Sequence, residues 1–194
     1  MNHPHYCICV NVDITNLLSY LRTEEIMFTP AVVYLISRVA NELPSFRQRI
    51  RGQKVIEHDQ VNPSFSVQTK VSDVFSFCEV RYQAAAPTFI EAAKVQMKRM
   101  EENPVFEDQE RDDYLFLSSL PWISFTGLTH AMHYHPCDSV PRITWGKYFQ
   151  EGDKMKMPLS LQVHHALVDG GHVGRYYVRW EELAANPASW LAER

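Results

Sequence analysis

Residues 157–172 read MPLSLQVHHALVDGGH, and this run predicts both a strand and the turn that follows it. Its first nine residues alternate between two kinds of side chain, which is typical of a strand with two different faces. One face would carry Met157, Leu159, Leu161, Val163 and His165. Because burial disfavours the imidazolium ion, we expect His165 to be neutral near pH 7 and able to accept a proton as a general base. His164 would lie on the polar face and is the poorer candidate.

The turn after this strand contains Asp169, Gly170 and Gly171, where small side chains let the backbone approach a neighbour or a ligand closely. Beyond the turn, apolar and aromatic residues recur at helical spacing, which predicts a helix from about Gly171. Those expected to pack inward are Val173, Tyr176, Tyr177, Trp180 and Leu183. Asp169 would either fix the loop that holds His165 or cap this helix, and spacing alone leaves both roles open.

The histidines of this run also suggest a metal site, because His164, His165, Asp169 and His172 all carry ligand atoms. Strand alternation argues against that site, since adjacent side chains point to opposite faces. A second cluster with looser spacing consists of His130, His133, His135, Cys137 and Asp138. A proline-containing loop with surface histidines explains this cluster better, so we predict no metal site.

The composition is that of an ordinary globular domain, and residues 1–194 are interpreted as one domain without repeats or flexible linkers. The net charge of −4 gives no electrostatic basis for binding nucleic acid or an anionic membrane. No apolar run is long enough to span a bilayer and the first residues lack a signal peptide, so we expect a cytoplasmic protein. Four scattered cysteines predict free thiols rather than disulfides.

The hydrophobic pattern elsewhere predicts short strands mixed with a few long helices. We expect strands at 6–13, 54–58, 64–69, 75–80, 114–118, 122–126, 142–149 and 158–167. Helices are expected at 14–21, from Thr29-Pro30 through the run AVVYLISRVANEL, at 87–100 and after Gly171. This order of elements indicates an α/β fold, a two-layer sandwich of a mixed β-sheet with helices on one side.

Several motifs resemble landmarks of the chloramphenicol acetyltransferase family, in the family's order. They are Phe28-x-Pro30, Asn62-Pro63-x-Phe65, Phe75-Ser76, Ser118-x-Leu120-Pro121-Trp122, Ile143-Thr144-x-Gly146-Lys147-Tyr148, Glu151-Gly152-Asp153, Met157-Pro158-Leu159 and His165-x-x-x-Asp169-Gly170. The resemblance covers nearly the whole chain and implies a CoA-dependent acyltransferase fold that assembles as a homotrimer with active sites between subunits. It also implies transfer of acetyl from acetyl-CoA to a hydroxyl of a small acceptor. Acetyl-CoA would be a co-substrate and not a permanently bound cofactor. Chloramphenicol is the acceptor that we expect.

The resemblance implies a role for each matching residue of the reaction centre. His165 matches the family's general base, and Ser118 matches the serine that hydrogen-bonds the tetrahedral oxyanion. Thr144 matches a residue that helps to order the intermediate through water. Asp169 matches an aspartate whose role is structural.

Further matches concern the two substrates. Lys147 and Tyr148 match positions beside the CoA nucleotide, where a cation meets phosphate and a ring packs against adenine. Phe75 matches an aromatic position of the acceptor pocket. Leu128 and His130 stand where the family often has an aromatic and an aliphatic residue, and a buried imidazole needs a polar partner. Acyl transfer to a different acceptor is therefore a second hypothesis.

The chain also departs from the family's pattern. The family begins with a strand and a helix that supply part of the acceptor pocket and an arginine that pairs with the motif aspartate; no match to that segment is expected here, either because the sequence starts after it or because it has been lost. We therefore expect Asp169 to lack that arginine. Val168 and Gly171 stand where the family commonly has Cys and Phe, which predicts looser packing or extra room beside the loop. A catalytically silent binding or assembly protein is a third hypothesis.

Overall fold

The computed structural model describes residues 3–71, 73–106, 111–133 and 135–192. In chain order its elements are β1 (His5–Asp13), α1 (Thr15–Thr23), α2 (Phe28–Glu42), α3 (Pro44–Arg47), β2 (Gln48–Arg51), β3 (Lys54–Glu57), β4 (Asn62–Gln68), β5 (Phe75–Glu79), α4 (Ala86–Glu102), β6 (Tyr114–Leu120), β7 (Arg142–Gly146), β8 (Phe149–Glu151), β9 (Lys154–His164), α5 (Gly170–Ala185) and α6 (Ala188–Leu191). Among these residues, no helix is both long enough and apolar enough to cross a bilayer.

A seven-stranded mixed sheet organises the molecule. Its strand order is β1-β9-β7-β6-β4-β5, and β8 pairs with β9 at one side. The pairs β4–β6 and β6–β7 are parallel, whereas β9 is antiparallel to both β1 and β7. Strands β2 and β3 form a separate hairpin. The predicted fold class, an α/β protein built on a mixed sheet, is confirmed.

One face of this sheet, called the helix face, is apolar. Along β9 it presents four side chains that are at most 1% exposed: Met157, Leu159, Leu161 and Val163. They belong to one core cluster with buried residues of α1, α2, α4 and α5. Tyr177 of α5 also donates a hydrogen bond to the Leu159 carbonyl at 2.8 Å. Burial of each large apolar side chain contributes about 1.5–3 kcal/mol, so packing on this face stabilises the fold.

The opposite face, called the loop face, carries polar side chains. The strand register places Cys9, Ser160, Thr144 and Ser118 in one row across β1, β9, β7 and β6. Residues alternate along each strand, so every member of this row points away from the helices. The row therefore lies on the side of the sheet that the apolar core does not occupy.

Residues 121–133 and 135–141, called the covering loop, cross the loop face. Hydrogen bonds attach it to β1 and β9, among them Cys7 Sγ to the Leu128 carbonyl (2.9 Å), His5 Nε2 to the Asp138 carbonyl (2.6 Å), and the His130 backbone N–H to Gln162 Oε1 (2.6 Å). Gly146 allows the close approach of the loop, because a Cβ there would lie 2.9 Å from Phe125 Cε1 and 3.0 Å from the Ile123 carbonyl oxygen. Polar contacts, and not a second layer of helices, thus cover this side.

Most predicted strands form within one or two residues of their expected bounds, and three of the predictions differ more. The strand expected at 122–126 does not form, because Pro121 lacks the N–H that would extend β6 and the chain turns there, leaving Trp122 and Ile123 69% and 55% exposed. The strand expected at 142–149 is divided into β7 and β8. The strand expected at 158–167 begins earlier, at Lys154, and ends at His164.

Strand β2 was not predicted, because its sequence QRIR has no apolar alternation. The structure buries Arg49 completely. Its guanidinium donates hydrogen bonds to backbone carbonyls, among them those of Phe46 (2.9 Å), Asp112 (2.7 Å) and Tyr114 (2.6 Å). A long cation with several carbonyl partners therefore occupies a core position that sequence patterning assigns to an apolar residue.

Candidate active site

His165 is the first residue beyond β9. Its backbone N–H donates to the Pro4 carbonyl at 2.8 Å, and its ring meets the Tyr6 ring edge to face with centroids 5.2 Å apart. The residue is exposed, so the expectation that His165 continues the buried row of β9 is wrong. The reason is that the N–H groups of Leu167 and Val168 donate to the His164 carbonyl, which turns the chain out of the sheet.

His164 lies on the loop face, as alternation predicts. It is 8% exposed, and its ring contacts the His5 ring edge to face at 5.3 Å. Burial and the neighbouring imidazole of His5 lower the pKa of His164. The rings of His164 and His165 therefore point to opposite sides of the strand end. In the part of the chain that the structure describes, no three His, Cys, Asp or Glu side chains are grouped to hold a metal ion.

Asp169 caps helix α5. Its Oδ1 accepts a hydrogen bond from the His172 backbone N–H at 2.9 Å, and His172 Nδ1 accepts one from the Asp169 N–H at 3.1 Å. The His172 backbone N–H, together with the His172 imidazole, holds the pKa of Asp169 below its usual range. Of the two roles that spacing left open, helix capping is the one present here. His172, considered from sequence only as a metal ligand, completes this cap.

Ser118 and Thr144 are direct neighbours on the parallel strands β6 and β7. Thr144 is 1% exposed, whereas Ser118 is half-buried. His130 of the covering loop places its Nε2 2.8 Å from Thr144 Oγ1. Burial and the positive charge of Arg142 lower the pKa of His130, which favours the neutral imidazole. The fold thus brings Ser118, Thr144 and His130 together on the loop face.

His165 is distant from this group within one chain. Register places Ser160 beside Thr144, and His165 follows Ser160 by five positions along β9. Five strand residues span about 17 Å, and Ser118 lies two strands away, about 10 Å in the perpendicular direction. Histidine and serine side chains are too short to close this gap. His165 and Ser118 therefore do not converge within a single copy of the chain.

Lys147 and Tyr148 connect β7 to β8. The Lys147 backbone N–H donates to the Ile123 carbonyl at 2.8 Å, and this lysine is exposed. Tyr148 is half-buried, and its ring meets Phe28 with centroids 5.7 Å apart. Together with the exposed Trp122, these residues form a surface with one cation and several rings at the ends of β6 and β7.

Phe75 begins the edge strand β5, on the loop face. It is 51% exposed, and its ring contacts Phe77 edge to face at 5.5 Å. Phe77 pairs with Ser66 of β4, one residue beyond the last β4–β6 pair, Phe65 with Leu117, and Phe75 pairs with Gln68, so Phe77 lies closer than Phe75 to the polar row. Phe77 could have been predicted together with Phe75, because residues two apart in a strand share a face. Leu128 is half-buried in the covering loop.

Sequence reasoning also missed Tyr6 and Gln162. Tyr6 contacts the His165 ring, and Gln162, only 4% exposed, holds the covering loop. The sequence did contain an indication for Gln162, because a glutamine on the polar face of a long strand needs a hydrogen-bond partner if it is buried. For Tyr6 the sequence offered none, because its contact with His165 depends on how β1 pairs with β9.

A cleft of about 740 Å³ lies elsewhere, where β4 and β6 begin at Asn62 and Tyr114. Its polar groups bind one another: Tyr114 donates to Glu79 at 2.6 Å and Arg111 Nε donates to Asp113 at 2.9 Å. Because these charges are already paired and exposed to solvent, the cleft is a weaker candidate than the loop face.

Comparison with known proteins agrees with the motifs. A family model described as Chloramphenicol acetyltransferase matches residues 2–180. A chloramphenicol acetyltransferase of Clostridium perfringens is 31% identical over 192 residues, covering 97% of this chain and 88% of the relative. Chloramphenicol acetyltransferase 3 of Escherichia coli is 32% identical over 180 residues, covering 92% of this chain and 84% of the relative.

Solved structures share the fold. A chloramphenicol acetyltransferase superposes with a TM-score of 0.83 at 22% identity, covering 93% of this chain and 88% of the other. The cubic core of the pyruvate dehydrogenase multienzyme complex gives a TM-score of 0.77 at 21% identity, covering 97% and 84%. At these identities the superpositions establish the fold, while the family rests on the sequence matches. The family predicted from the motifs is thus confirmed: the chain belongs to the chloramphenicol acetyltransferase family.

Proposed function

We propose that the chain is an O-acetyltransferase that moves acetyl from acetyl-CoA to a hydroxyl of a small acceptor, and that chloramphenicol is this acceptor. The observation that carries the proposal is the combination of His165 beyond β9 with Ser118 beside Thr144 on the loop face. Relatives that carry the name chloramphenicol acetyltransferase and match nearly the full chain support the acceptor.

In the proposed reaction His165 is the general base. Its imidazole accepts the proton of the acceptor hydroxyl while the hydroxyl oxygen attacks the thioester carbonyl carbon of acetyl-CoA. The tetrahedral oxyanion accepts a hydrogen bond from the Ser118 hydroxyl, where a well-placed donor contributes about 3–4 kcal/mol. The carbon–sulfur bond then breaks, and the CoA thiolate takes the proton from His165. The products are the acetyl ester and free CoA thiol.

We further propose that this site forms between two copies of the chain, within a homotrimer. The separation of His165 from Ser118 within one chain supports this arrangement, because the reaction needs the base and the oxyanion donor on the same intermediate. The exposure of His165 also fits a residue that a second copy covers. Thr144, held by His130, would order the intermediate beside Ser118.

Other residues would bind the two substrates. Lys147 provides a cation for the phosphates of CoA, and the ring of Tyr148 provides a surface for its adenine. Phe75, Leu128 and His130 would form the acceptor wall. The negative overall charge does not oppose this, since Lys147 is an exposed local cation. We place the reaction in the cytoplasm.

The direct test follows release of CoA thiol with acetyl-CoA and a panel of acceptors that includes chloramphenicol and simple alcohols and amines. We expect thiol release with chloramphenicol, and a decrease of about 100- to 10,000-fold in His165→Ala. Thiol release that survives His165→Ala, or no release with any acceptor from folded protein, would overturn the mechanism. Release with another acceptor alone would retain acyl transfer and reject chloramphenicol.

A complementation test addresses the shared site. His165→Ala and Ser118→Ala subunits, each inactive alone, are unfolded together in equal amounts and refolded. If each site takes His165 from one copy and Ser118 from another, about one site in four contains both residues and regains activity. Mixtures that remain inactive, while refolded wild-type protein recovers, would contradict a shared site.

A further inference from the structure

The orientation of His165 depends on residues outside its own loop. A general base accelerates proton transfer only when its ring is held toward the proton it accepts. Asp169, four positions later, is engaged with His172 in the cap of α5. The structure instead provides two contacts from β1 and the residue before it: the Pro4 carbonyl binds the His165 N–H, and the Tyr6 ring meets the imidazole.

Tyr6 contacts both ends of the loop that carries the base. Its ring stands at 83° to the His165 ring with centroids 5.2 Å apart, an edge-to-face geometry that aromatic rings favour. Its hydroxyl donates a hydrogen bond to the Val168 carbonyl at 3.2 Å. One side chain, fixed by the pairing of β1 with β9, thus contacts the base and the residue just before Asp169.

The hydroxyl of Tyr6 remains a donor under working conditions. Burial, together with the negative charge of Asp169, raises the pKa of Tyr6 above its ordinary value. The phenol therefore keeps its proton throughout the neutral range, and only the protonated form donates to a carbonyl.

We propose that Tyr6 is a positioning residue for His165. Its ring holds the imidazole in one orientation, and its hydroxyl holds the 165–169 loop at Val168. The kinetic consequence rests on the proposed function, whereas the orientation of the ring does not require substrate.

Three variants separate the parts of this role. Tyr6→Leu removes both the ring and the hydroxyl, and Tyr6→Phe removes the hydroxyl alone. Tyr177→Phe is the matched control, because it removes a buried tyrosine hydroxyl bonded to the Leu159 carbonyl on the helix face. We expect Tyr6→Leu to lower kcat by about 10- to 100-fold with KM for acetyl-CoA unchanged, since misplacing a catalytic group by about 1 Å costs this much. Tyr6→Phe should recover most of that loss, and Tyr177→Phe should lower the melting temperature without lowering kcat.

A second readout does not depend on activity. The ring proton and carbon signals of His165 are observed by NMR in labelled protein without substrate and are assigned by their loss in His165→Asn. We expect Tyr6→Leu to move this signal, because the ring current of Tyr6 is removed, and Tyr6→Phe to leave it near its wild-type position. If Tyr6→Leu does not fold, Tyr6→Met replaces it, since methionine fills a similar space without a ring.

The outcomes are distinct. An unchanged kcat and an unmoved His165 signal in a folded variant without the ring would overturn the proposal. A kcat lowered equally in Tyr6→Leu and Tyr177→Phe would also overturn it, because the loss would then be structural. If wild-type protein releases no thiol with any acceptor, the proposed function fails, and the NMR signal alone decides whether the Tyr6 ring contacts His165 in solution.

Discussion

The two faces of β9 are both buried, but by different means. On the helix face, Leu159, Leu161 and Val163 are excluded from water by apolar packing. On the loop face, Gln162 is 4% exposed because it hydrogen-bonds the covering loop, and the side chain of Ser160 accompanies Thr144 and Ser118 in the polar row. The difference teaches that burial alone does not separate a stabilising side chain from a chemical one. The two kinds of side chain are distinguished by what covers them, either apolar packing or a hydrogen-bonded loop.

The comparison predicts opposite effects of substitution for neighbouring residues on the two faces of the sheet. Substitutions on the helix face should change the free energy of unfolding and leave the rate of the folded protein intact. Substitutions on the loop face should change rate or acceptor preference with little change in stability. Each experiment below pairs one residue with a matched neighbour, and the expected effects decrease from the first to the last.

The largest effect is expected from Leu161→Ala on the helix face. Removing a fully buried leucine leaves a cavity and should lower the free energy of unfolding by about 2–5 kcal/mol. Urea denaturation measures this loss, and kcat of the folded fraction should stay at the wild-type value. A fall in kcat of the folded fraction, equivalent in free energy to the loss of stability, would contradict the division between the faces.

Ser118→Ala tests the loop face of β6. Losing the proposed oxyanion donor should lower kcat by about 100- to 1,000-fold with the melting temperature nearly unchanged. Ser119→Ala is the control, because Ser119 is adjacent in sequence and points to the helix face. If the two variants lose equal activity, position on the loop face does not determine the role of Ser118.

His130→Leu tests the covering loop. The substitution removes the 2.8 Å contact with Thr144 and makes the wall apolar, as is frequent in the family. A hydrogen bond is worth about 1 kcal/mol, so kcat/KM for chloramphenicol relative to a more polar acceptor should shift about fivefold toward chloramphenicol. His133→Leu, an exposed histidine of the same loop, should leave this ratio unchanged. Equal shifts in both variants would assign the effect to loop hydrophobicity alone.

The smallest effect is expected from Asp169→Asn. Asparagine also caps helices, so the melting temperature at neutral pH should fall by only about 1–3 °C, and kcat should change little. Because folding lowers the pKa of Asp169, its ionised form stabilises the native state above the unfolded pKa, and that contribution disappears as the pH falls through the folded pKa. Melting temperatures of the two proteins should therefore converge in acid. A difference that grows in acid would refute the capping role.

Sequence patterning predicted the elements whose signal is local. The alternation of β9 separated His164 from His165, and the helical spacing after Gly171 located α5. The burial of His165 was predicted wrongly, because alternation specifies faces but does not specify where a strand ends. Arg49 and strand β2 were missed because carbonyl partners come from Phe46, Asp112 and Tyr114, residues that only the fold brings together.

The sequence motifs allowed candidate site residues to be named one by one, but they did not predict how these residues are arranged in the fold. Ser118 and Thr144 were identified through motifs, and their adjacency follows from parallel pairing of β6 with β7. The distance between His165 and Ser118 follows from the register of three strands, which no single motif encodes. The contact of Tyr6 with His165 likewise requires the register of β1 against β9.

The covering loop is attached to β1 and β9 by hydrogen bonds of His5, Cys7 and Gln162, and to β7 by the contact of His130 with Thr144. Apart from the His130 side chain, these contacts use backbone groups of the loop, so its other side chains can be exchanged while the attachments are kept, provided that Gly146 leaves room for the returning chain. If the covering loop forms the proposed acceptor wall, a library that randomises 126–129 and 131–133 while preserving Cys7, His130, Gln162 and Gly146 should alter acceptor selectivity without redesigning the framework. For this protein, the practical route to new acylation products is loop grafting.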